Sequence, residues 1–183
     1  GAAGLMAAGR LGELGVSVTL YERGARLGQK LRITGKGRCN LTNNCDIPEF
    51  IAHVPTNPRF LYTALSRFSP ADCMSFFEAL GVPLKTERGR RVFPVSDKAA
   101  DVVEALSHYA LRHRCVRLVR ERVRSLGIEG GRVASVTAES TEKFDAVLIC
   151  TGGCSYPRTG SDGDGYRLAR AAGHTITPLT PSL

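Results

Sequence analysis

A helix built largely from small residues opens this sequence, and a strand that ends on a carboxylate follows it directly. Apolar side chains give residues 2–14 their helical spacing: Leu5, Ala8, Leu11 and Leu14. Gly15 is a natural helix end, and the β-rich run VSVTLY at 16–21 leads to Glu22. Predicted strands and helices alternate downstream, so the sequence predicts an α/β fold with a mainly parallel sheet and a small β addition.

The composition restricts the class of protein and the kind of partner. The chain has 183 residues and a formal net charge of +8. No run reaches the roughly 18 apolar residues of a membrane span. The excess of basic residues favours an anionic partner, whether a phosphate-bearing cofactor, an acidic substrate or a nucleic acid. Six cysteines without a C-x-x-C spacing predict reduced thiols in a cytoplasmic protein and no metal site.

Turn signals and periodicity locate the remaining elements. Helices are predicted at 58–67, 70–80, 97–113 and 164–172, with Ser69 and Ser96 as caps. The buried face of the helix at 97–113 is predicted to consist of Val102, Leu106, Tyr109 and Ala110. A hairpin is predicted from 82–86 and 91–95, and further strands at 115–119, 123–128, 133–137 and 144–150, with a Gly130-Gly131 turn between 123–128 and 133–137. The last of these strands is apolar throughout, which predicts burial on both faces. Residues 23–44 are predicted to form a loop.

Both ends of the sequence enter the prediction of domain organisation. The chain does not begin with methionine, and its last residues, 178–183 (PLTPSL), are typical of a turn or linker. We therefore expect residues 1–183 to be the N-terminal part of a domain that is truncated at both ends.

The first motif is the start of the opening helix. Gly1, Ala2, Ala3 and Gly4 match the second half of G-x-G-x-x-G, in which glycines let the backbone approach a pyrophosphate and let the helix pack on its strand. The free N–H groups of a helix start bind phosphate. Glu22, about twenty residues further on, stands where a carboxylate accepts ribose hydroxyls. The alternative is an ordinary helix start and a solvated glutamate.

The second motif is a basic, glycine-rich stretch at residues 28–40. It contains Gly28, Gly35 and Gly37 together with three cations, Lys30, Lys36 and Arg38, and this composition suits a loop wrapped on an anion. The spacing is not that of a P-loop, and a mobile basic loop is the alternative. Cys39, beside Arg38, is either a thiol of lowered pKa or a packed structural thiol.

The third motif follows the apolar run at 144–150. Thr151, Gly152 and Gly153 come directly after it, at the end of a predicted strand where α/β sheets admit ligands. Residues 159–165 (TGSDGDG) then open a helix that Asp164 is predicted to cap. Glycine-rich turns without a ligand are the alternative.

A run of arginines at 112–124 is the main basic cluster. Its arginines alternate with apolar residues, as in a strand with one solvated face, and no aromatic residues are interleaved for base stacking. Nucleic-acid binding by this stretch is therefore not expected. The four histidines, His53, His108, His113 and His174, form no local triad or metal set.

Taken in order, these segments resemble the BaiN-like (YhiN-type) bacterial flavoproteins. The blocks that carry the resemblance are GAAGLMAA, the acid-ended strand, GQKLRITGKGRCNLTN, FPVSDKAADVV, TGGCSYPRTGSDGDGY and AGHTI. The resemblance covers essentially the whole chain. Members of this family are NAD(P)/FAD-dependent oxidoreductases, and some are described as aminoacetone-oxidase-like.

The resemblance implies a Rossmann-like domain that binds FAD. It places the pyrophosphate at Gly1–Gly4 and the adenosine ribose at Glu22, and it places the loop from Gly37 to Asn40 on the flavin side. An adenine contact is implied for the strand that Val123 begins. The full set of predicted cofactor-binding residues is Gly1, Ala2, Ala3, Gly4, Glu22, Arg23, Lys30, Gly37, Arg38, Cys39, Asn40, Val123, Thr151, Gly152, Gly153 and Asp164.

The function implied by the resemblance is hydride transfer between a small organic substrate or NAD(P)H and the flavin. A second acceptor then reoxidises the flavin. Family members carry an inserted substrate domain and a C-terminal return, and the first strand would lie upstream of Gly1. No catalytic acid or base stands out in the sequence. Two other hypotheses remain: a flavoprotein acting on tRNA, which the positive charge favours, and a non-catalytic nucleotide-binding module.

Overall fold

A computed structural model describes residues 1–180 of the chain. Its α-helices, in chain order, are α1 (Ala2–Glu13), α2 (Gln29–Ile33), α3 (Ile47–Ala52), α4 (Tyr62–Arg67), α5 (Pro70–Ala79), α6 (Ala99–Leu111) and α7 (Asp164–Ala171). Its strands are β1 (Val18–Tyr21), β2 (Thr42–Asn43), β3 (Leu84–Glu87), β4 (Arg91–Pro94), β5 (Val116–Val119), β6 (Ser125–Glu129), β7 (Arg132–Thr137) and β8 (Thr141–Lys143). Short 3₁₀ turns lie at Thr34–Gly37, Pro58–Leu61, Arg88–Arg90 and Pro157–Thr159.

The chain divides into two compact units. The first unit contains residues 1–30 and the residues from Ala110 onward, and the second contains Leu31–Tyr109. Within residues 1–180, every helix is too short or too polar to cross a membrane.

The first unit is built on a parallel strand pair covered by α1. β1 and β5 pair in parallel from Val18 opposite Val116 to Tyr21 opposite Val119. Leu5 and Ala8 of α1 are buried, because the small residues of this helix let it lie close to the strands. An antiparallel sheet in the order β6-β7-β8 completes the strands of the unit. The Gly130-Gly131 turn predicted between its first two strands is confirmed, with positive φ at both glycines.

The second unit packs an antiparallel sheet in the order β2-β4-β3 with α5 and α6. The predicted hairpin is confirmed as β3 and β4, which pair from Leu84 opposite Pro94 to Glu87 opposite Arg91. α5 begins as predicted, with Ser69 and Asp72 bonded to each other's backbone in a capping box. The residues predicted to line the buried face of α6 are buried: Val102, Leu106, Tyr109 and Ala110.

The strand predicted at 144–150 is wrong. The N–H of Phe144 donates to Ala134 O at 3.0 Å, but no ladder follows in the described residues, and Leu148 and Ile149 are 65% and 41% exposed. An apolar run becomes a buried strand only where neighbouring strands satisfy its backbone and cover its side chains. Among residues 1–180 the parallel ladder has two strands and the antiparallel sheets have six, so the parallel part is smaller than predicted.

Other segments also differ from the predictions. Residues 23–44 are not only loop, because they contain α2 and β2. α6 begins at Ala99 rather than at residue 97, since Asp97 has a left-handed φ of 57° that no helix accommodates. Val123 lies outside the strand it was predicted to begin, because the ladder of β6 starts at Ser125.

Candidate functional site

The start of α1 has the form of a phosphate-binding turn. The carbonyl of Gly1 accepts the N–H of Leu5 at 3.0 Å, so the N–H groups before Leu5 have no partner within the helix. No side chain caps this end. Gly4 is buried, and a Cβ there would lie 3.3 Å from Cys150 Cβ and 3.6 Å from Leu20 Cδ1. The close helix packing that the motif predicts is therefore present.

Glu22 lies beside this helix start. Its Oε1 accepts the N–H of Gly24 at 2.8 Å, and its Oε2 lies 3.8 Å from the nitrogen of Gly1. The bond from Gly24 fixes the direction of the carboxylate and leaves one oxygen facing the turn. Two residues that sequence spacing alone related to each other are thus brought together.

The TGG turn lies next to the same helix start, since Cys150 packs on Gly4. Gly152 has a φ of 76°, and a Cβ there would lie 2.8 Å from Oγ of the buried Ser161. Only glycine meets both conditions without strain. Lys30 also reaches this segment, because its Nζ donates to Ser155 Oγ at 3.0 Å.

Arg23 and Asp164 are brought together, and they bind each other. The Asp164 carboxylate is 10% exposed and accepts from Arg122 Nε at 2.9 Å, Arg167 Nε at 3.1 Å and Arg23 Nη1 at 3.4 Å. The hydrogen bond from Arg122, supported by the one from Arg167, lowers the pKa of Asp164. These two predicted cofactor residues therefore serve first to hold the 160–164 loop.

Sequence reasoning missed the other members of this ion cluster. Arg23 donates also to Asp162 at 2.8 Å and to the Gly160 carbonyl at 2.6 Å. Hydrogen bonds between residues 137 to 141 positions apart follow no local spacing rule. The TGSDGDG block was the one available signal, because it placed two aspartates before a helix in an arginine-rich chain.

In the second unit, the basic stretch forms a turn with several left-handed residues. Gly35, Lys36, Gly37 and Cys39 have positive φ values of 54°, 59°, 86° and 62°. Left-handed conformations of this kind make backbone N–H groups converge into anion-binding concavities. For Lys36 and Cys39 the conformation costs on the order of 1 kcal/mol each, so surrounding contacts must hold the turn.

Cys39 is a packed thiol of the second unit. It is 2% exposed, and burial raises the pKa of its thiol. The structure therefore favours the structural alternative over a thiol of lowered pKa. All six cysteines are free, and among residues 1–180 no group of three or more His, Cys, Asp or Glu side chains is placed to hold a metal ion.

Arg38 is engaged by a group of charged residues that we call the Arg38 cluster: Arg38, Lys85, Glu87 and Asp97. Arg38 Nη1 donates to Glu87 at 2.9 and 3.1 Å and to Asp97 at 3.2 Å. Lys85 Nζ donates to Asp97 at 2.7 Å. The bond from Arg38 lowers the pKa of Glu87, and the bond from Lys85 lowers that of Asp97.

One further observation bears on an anionic ligand. In the second unit, Nε of Arg32 is buried and has no hydrogen-bond partner among the described residues, and buried polar groups of native proteins are normally paired. Arg32 was not predicted from the sequence. In the first unit, the start of α1 and the Glu22 carboxylate beside it fit a phosphate-bearing nucleotide.

Comparison with known proteins agrees with this chemistry. The family model for the HI0933-like protein Rossmann domain matches residues 1–181. A 3-dehydro-bile acid delta(4,6)-reductase of Clostridium scindens is 34% identical over 168 residues, 91% of this chain and 40% of that protein. A ribosomal RNA dihydrouridine synthase of Haemophilus influenzae is 29% identical over 100% of this chain and 46% of that protein.

A plant protein is similar over a slightly shorter range. The flavin-containing monooxygenase FMO GS-OX-like 2 of Arabidopsis thaliana is 30% identical over 86% of this chain and 35% of that protein. The chain thus spans less than half the length of these curated relatives. The predicted Rossmann-like α/β class and the resemblance to BaiN-like flavoproteins are confirmed.

Proposed function

The chain belongs to the HI0933-like Rossmann domain family of flavin-dependent oxidoreductases, and on that premise we propose that it binds FAD and serves an NAD(P)H-linked reductase. The observation that carries the proposal is the start of α1, which no side chain caps among the described residues, with the closely packed Gly4 in its first turn and the Glu22 carboxylate beside it. This arrangement suits a dinucleotide whose pyrophosphate meets the helix N–H groups and whose ribose meets the carboxylate.

The residues of the first unit would hold and orient the cofactor. The N–H groups of residues 2–4 face the pyrophosphate, and Glu22 Oε2 accepts a ribose hydroxyl. Gly152 permits close approach of the backbone beside the helix start. When bound, the flavin supplies hydride transfer, while the protein supplies binding, orientation and electrostatics. For Gly37, Arg38, Cys39, Asn40, Val123 and the remaining predicted residues, a cofactor contact stays a prediction.

The names of the relatives suggest a class of reaction. A 3-dehydro-bile acid delta(4,6)-reductase saturates carbon–carbon double bonds conjugated with a ketone, and a dihydrouridine synthase saturates the double bond conjugated with a uracil carbonyl. Reduction of an alkene conjugated with a carbonyl adds a hydride to the electron-poor carbon and a proton to its neighbour. We propose reduction of such a conjugated double bond in a small organic molecule, with NAD(P)H as the source of hydride.

An absorbance spectrum of the purified natural protein tests this function. We expect flavin bands that bleach on anaerobic addition of NADH or NADPH. Flavin bands that neither nucleotide bleaches would contradict the NAD(P)H linkage. A colourless protein that takes up no added FAD would leave the non-catalytic nucleotide-binding module.

The same protein allows a test of the assigned site. Glu22→Ala removes a charge-assisted bond worth about 1.5–3 kcal/mol, so FAD affinity should fall about 10- to 150-fold. Glu129→Ala, at an exposed position of β6 in the same unit, is the matched control and should leave the affinity unchanged. Equal affinity for wild type and Glu22→Ala would remove Glu22 from the site.

Reduction of a base in RNA is the second candidate function. Ribosomal RNA dihydrouridine synthases of Haemophilus influenzae and Escherichia coli align with the whole chain at 29% and 28% identity, and the net charge of +8 suits a polyanion. This candidate predicts RNA binding that weakens steeply as salt rises. Binding that is negligible at low salt would exclude it, and retained reduction of free conjugated ketones or enones would then support the small-molecule function.

A further inference from the structure

The backbone of the turn at residues 35–39 and the side chain of its Arg38 lie against the same aromatic ring. A Cβ on Gly35 would lie 3.0 Å from Phe93 Cε1, so the backbone of the turn lies against this ring. The Arg38 guanidinium carbon lies 4.0 Å from the centroid of the same ring. Phe93 is 2% exposed and belongs to β4, so the surface that receives both groups is fixed by the sheet.

We propose that Arg38 is a positioning residue for this turn, held over Phe93 by Glu87 and Asp97, and that it is not the cation that meets a phosphate. The inference rests on the proposed function in one respect: the anion that the left-handed turn of the second unit would meet is taken to be a phosphate. Glu87 and Asp97 become positioning residues by the same argument, because they act on the turn through Arg38.

The charge balance of the cluster supports this role. Arg38 and Lys85 contribute two positive charges, and Glu87 and Asp97 contribute two negative charges, so the cluster is neutral. A phosphate that approached Arg38 would also meet two carboxylates within 3.2 Å of its guanidinium. A guanidinium that already binds two carboxylates holds the segments that carry them in place, but it attracts a further anion poorly.

The left-handed backbone of the turn explains why side-chain contacts are needed to hold it. Lys36 and Cys39 are left-handed although neither is glycine, and such residues persist only where the surrounding structure over-determines them. Asp97, which bonds both Arg38 and Lys85, is itself left-handed with a φ of 57°. The cluster therefore joins two strained segments, residues 35–39 and residue 97, through the bond between Arg38 and Asp97.

Charge-neutralising variants of the natural protein test the proposal. Glu87→Gln and Asp97→Asn remove one carboxylate charge each, and asparagine still tolerates the left-handed conformation at 97. Glu49→Gln is the matched control, because it breaks the ion pair with Arg90 in the same unit without touching Arg38. We expect the affinity for inorganic pyrophosphate to fall about tenfold in Glu87→Gln and Asp97→Asn and to stay unchanged in Glu49→Gln.

Hydrogen exchange in the flavin-free protein gives a readout that does not depend on the cofactor. The amides of residues 35–40 should exchange faster in Glu87→Gln and Asp97→Asn than in wild type or Glu49→Gln. Thermal unfolding of all four proteins is measured alongside, so that a local effect on the turn is separated from a general loss of stability.

The two roles of Arg38 predict opposite results. If Arg38 bound phosphate directly, removal of the Glu87 charge would free the charge of Arg38, and inorganic pyrophosphate would bind equally or more tightly; that result overturns the proposal. Unchanged exchange at residues 35–40 overturns it as well. If wild type binds no FAD at all, the proposed function fails, and the exchange experiment still decides whether the cluster positions the turn.

Discussion

Replacing Phe93 by alanine is expected to lower the free energy of unfolding of the second unit by about 3–5 kcal/mol. The side chain is 2% exposed, and its removal leaves a cavity under β4 in addition to the lost burial of the ring. The Arg38 guanidinium loses the surface on which it lies. Equilibrium unfolding in denaturant, followed by a probe in the second unit, measures the effect.

Phe60→Ala is the matched control for this prediction. It deletes the same ring in the same unit, but Phe60 is 85% exposed, so its loss should change stability by less than about 0.5 kcal/mol. Phe93→Leu should cost less than about 1.5 kcal/mol, because it keeps most of the buried volume. Equal destabilisation by Phe93→Ala and Phe60→Ala would contradict the burial assigned to Phe93.

Replacing Asp164 by alanine is expected to destabilise the first unit by about 2–3 kcal/mol. The carboxylate is 10% exposed and accepts from three arginines. Its removal leaves Arg23 and Arg122 with Asp162 alone and takes from Arg167 its carboxylate partner. Breaking a fully buried pair costs about 3–5 kcal/mol, and the partial exposure of these arginines reduces that figure. Thermal or denaturant unfolding of the natural protein measures it.

The pH dependence of stability tests whether the charge of the Asp164 carboxylate is what stabilises the first unit. The hydrogen bond from Arg122 lowers the pKa of Asp164 in the native state. Its stabilisation is therefore complete above the ordinary pKa of about 3.9 and is lost as the pH falls through the lower native pKa. The stability difference between wild type and Asp164→Asn should shrink below about pH 4. Asp145→Asn, at an exposed position of the same unit, is the matched control for the substitution.

Local signals predicted several elements of the fold correctly. α5 begins where Ser69 and Asp72 form a capping box and Pro70 opens the helix, and this information lies within four consecutive residues. The hairpin of β3 and β4 and the buried face of α6 were equally accessible, because turn residues and apolar periodicity act over short distances. The relation of Gly1 and Glu22 was predicted by a spacing rule that already contains the geometry of a βαβ unit.

Other features depend on contacts between residues that are far apart in the chain, and local sequence signals could not predict them. The apolar run at 144–150 has the composition of a buried strand, but the described residues give it no ladder. Asp164 was predicted as a ligand residue, and its contacts with three arginines depend on segments that meet only after folding. Arg38 was predicted to face the cofactor, whereas Glu87 and Asp97, 49 and 59 positions away, engage one of its nitrogens.

By itself, the sequence determined the α/β class and most helices and hairpins, because these properties follow from backbone geometry and local side-chain chemistry. Only the tertiary structure decided which charged side chains remain available to a ligand. A charged side chain near the start of a motif becomes a ligand or an ion-pair partner according to which opposite charges the fold brings within about 3 Å of it.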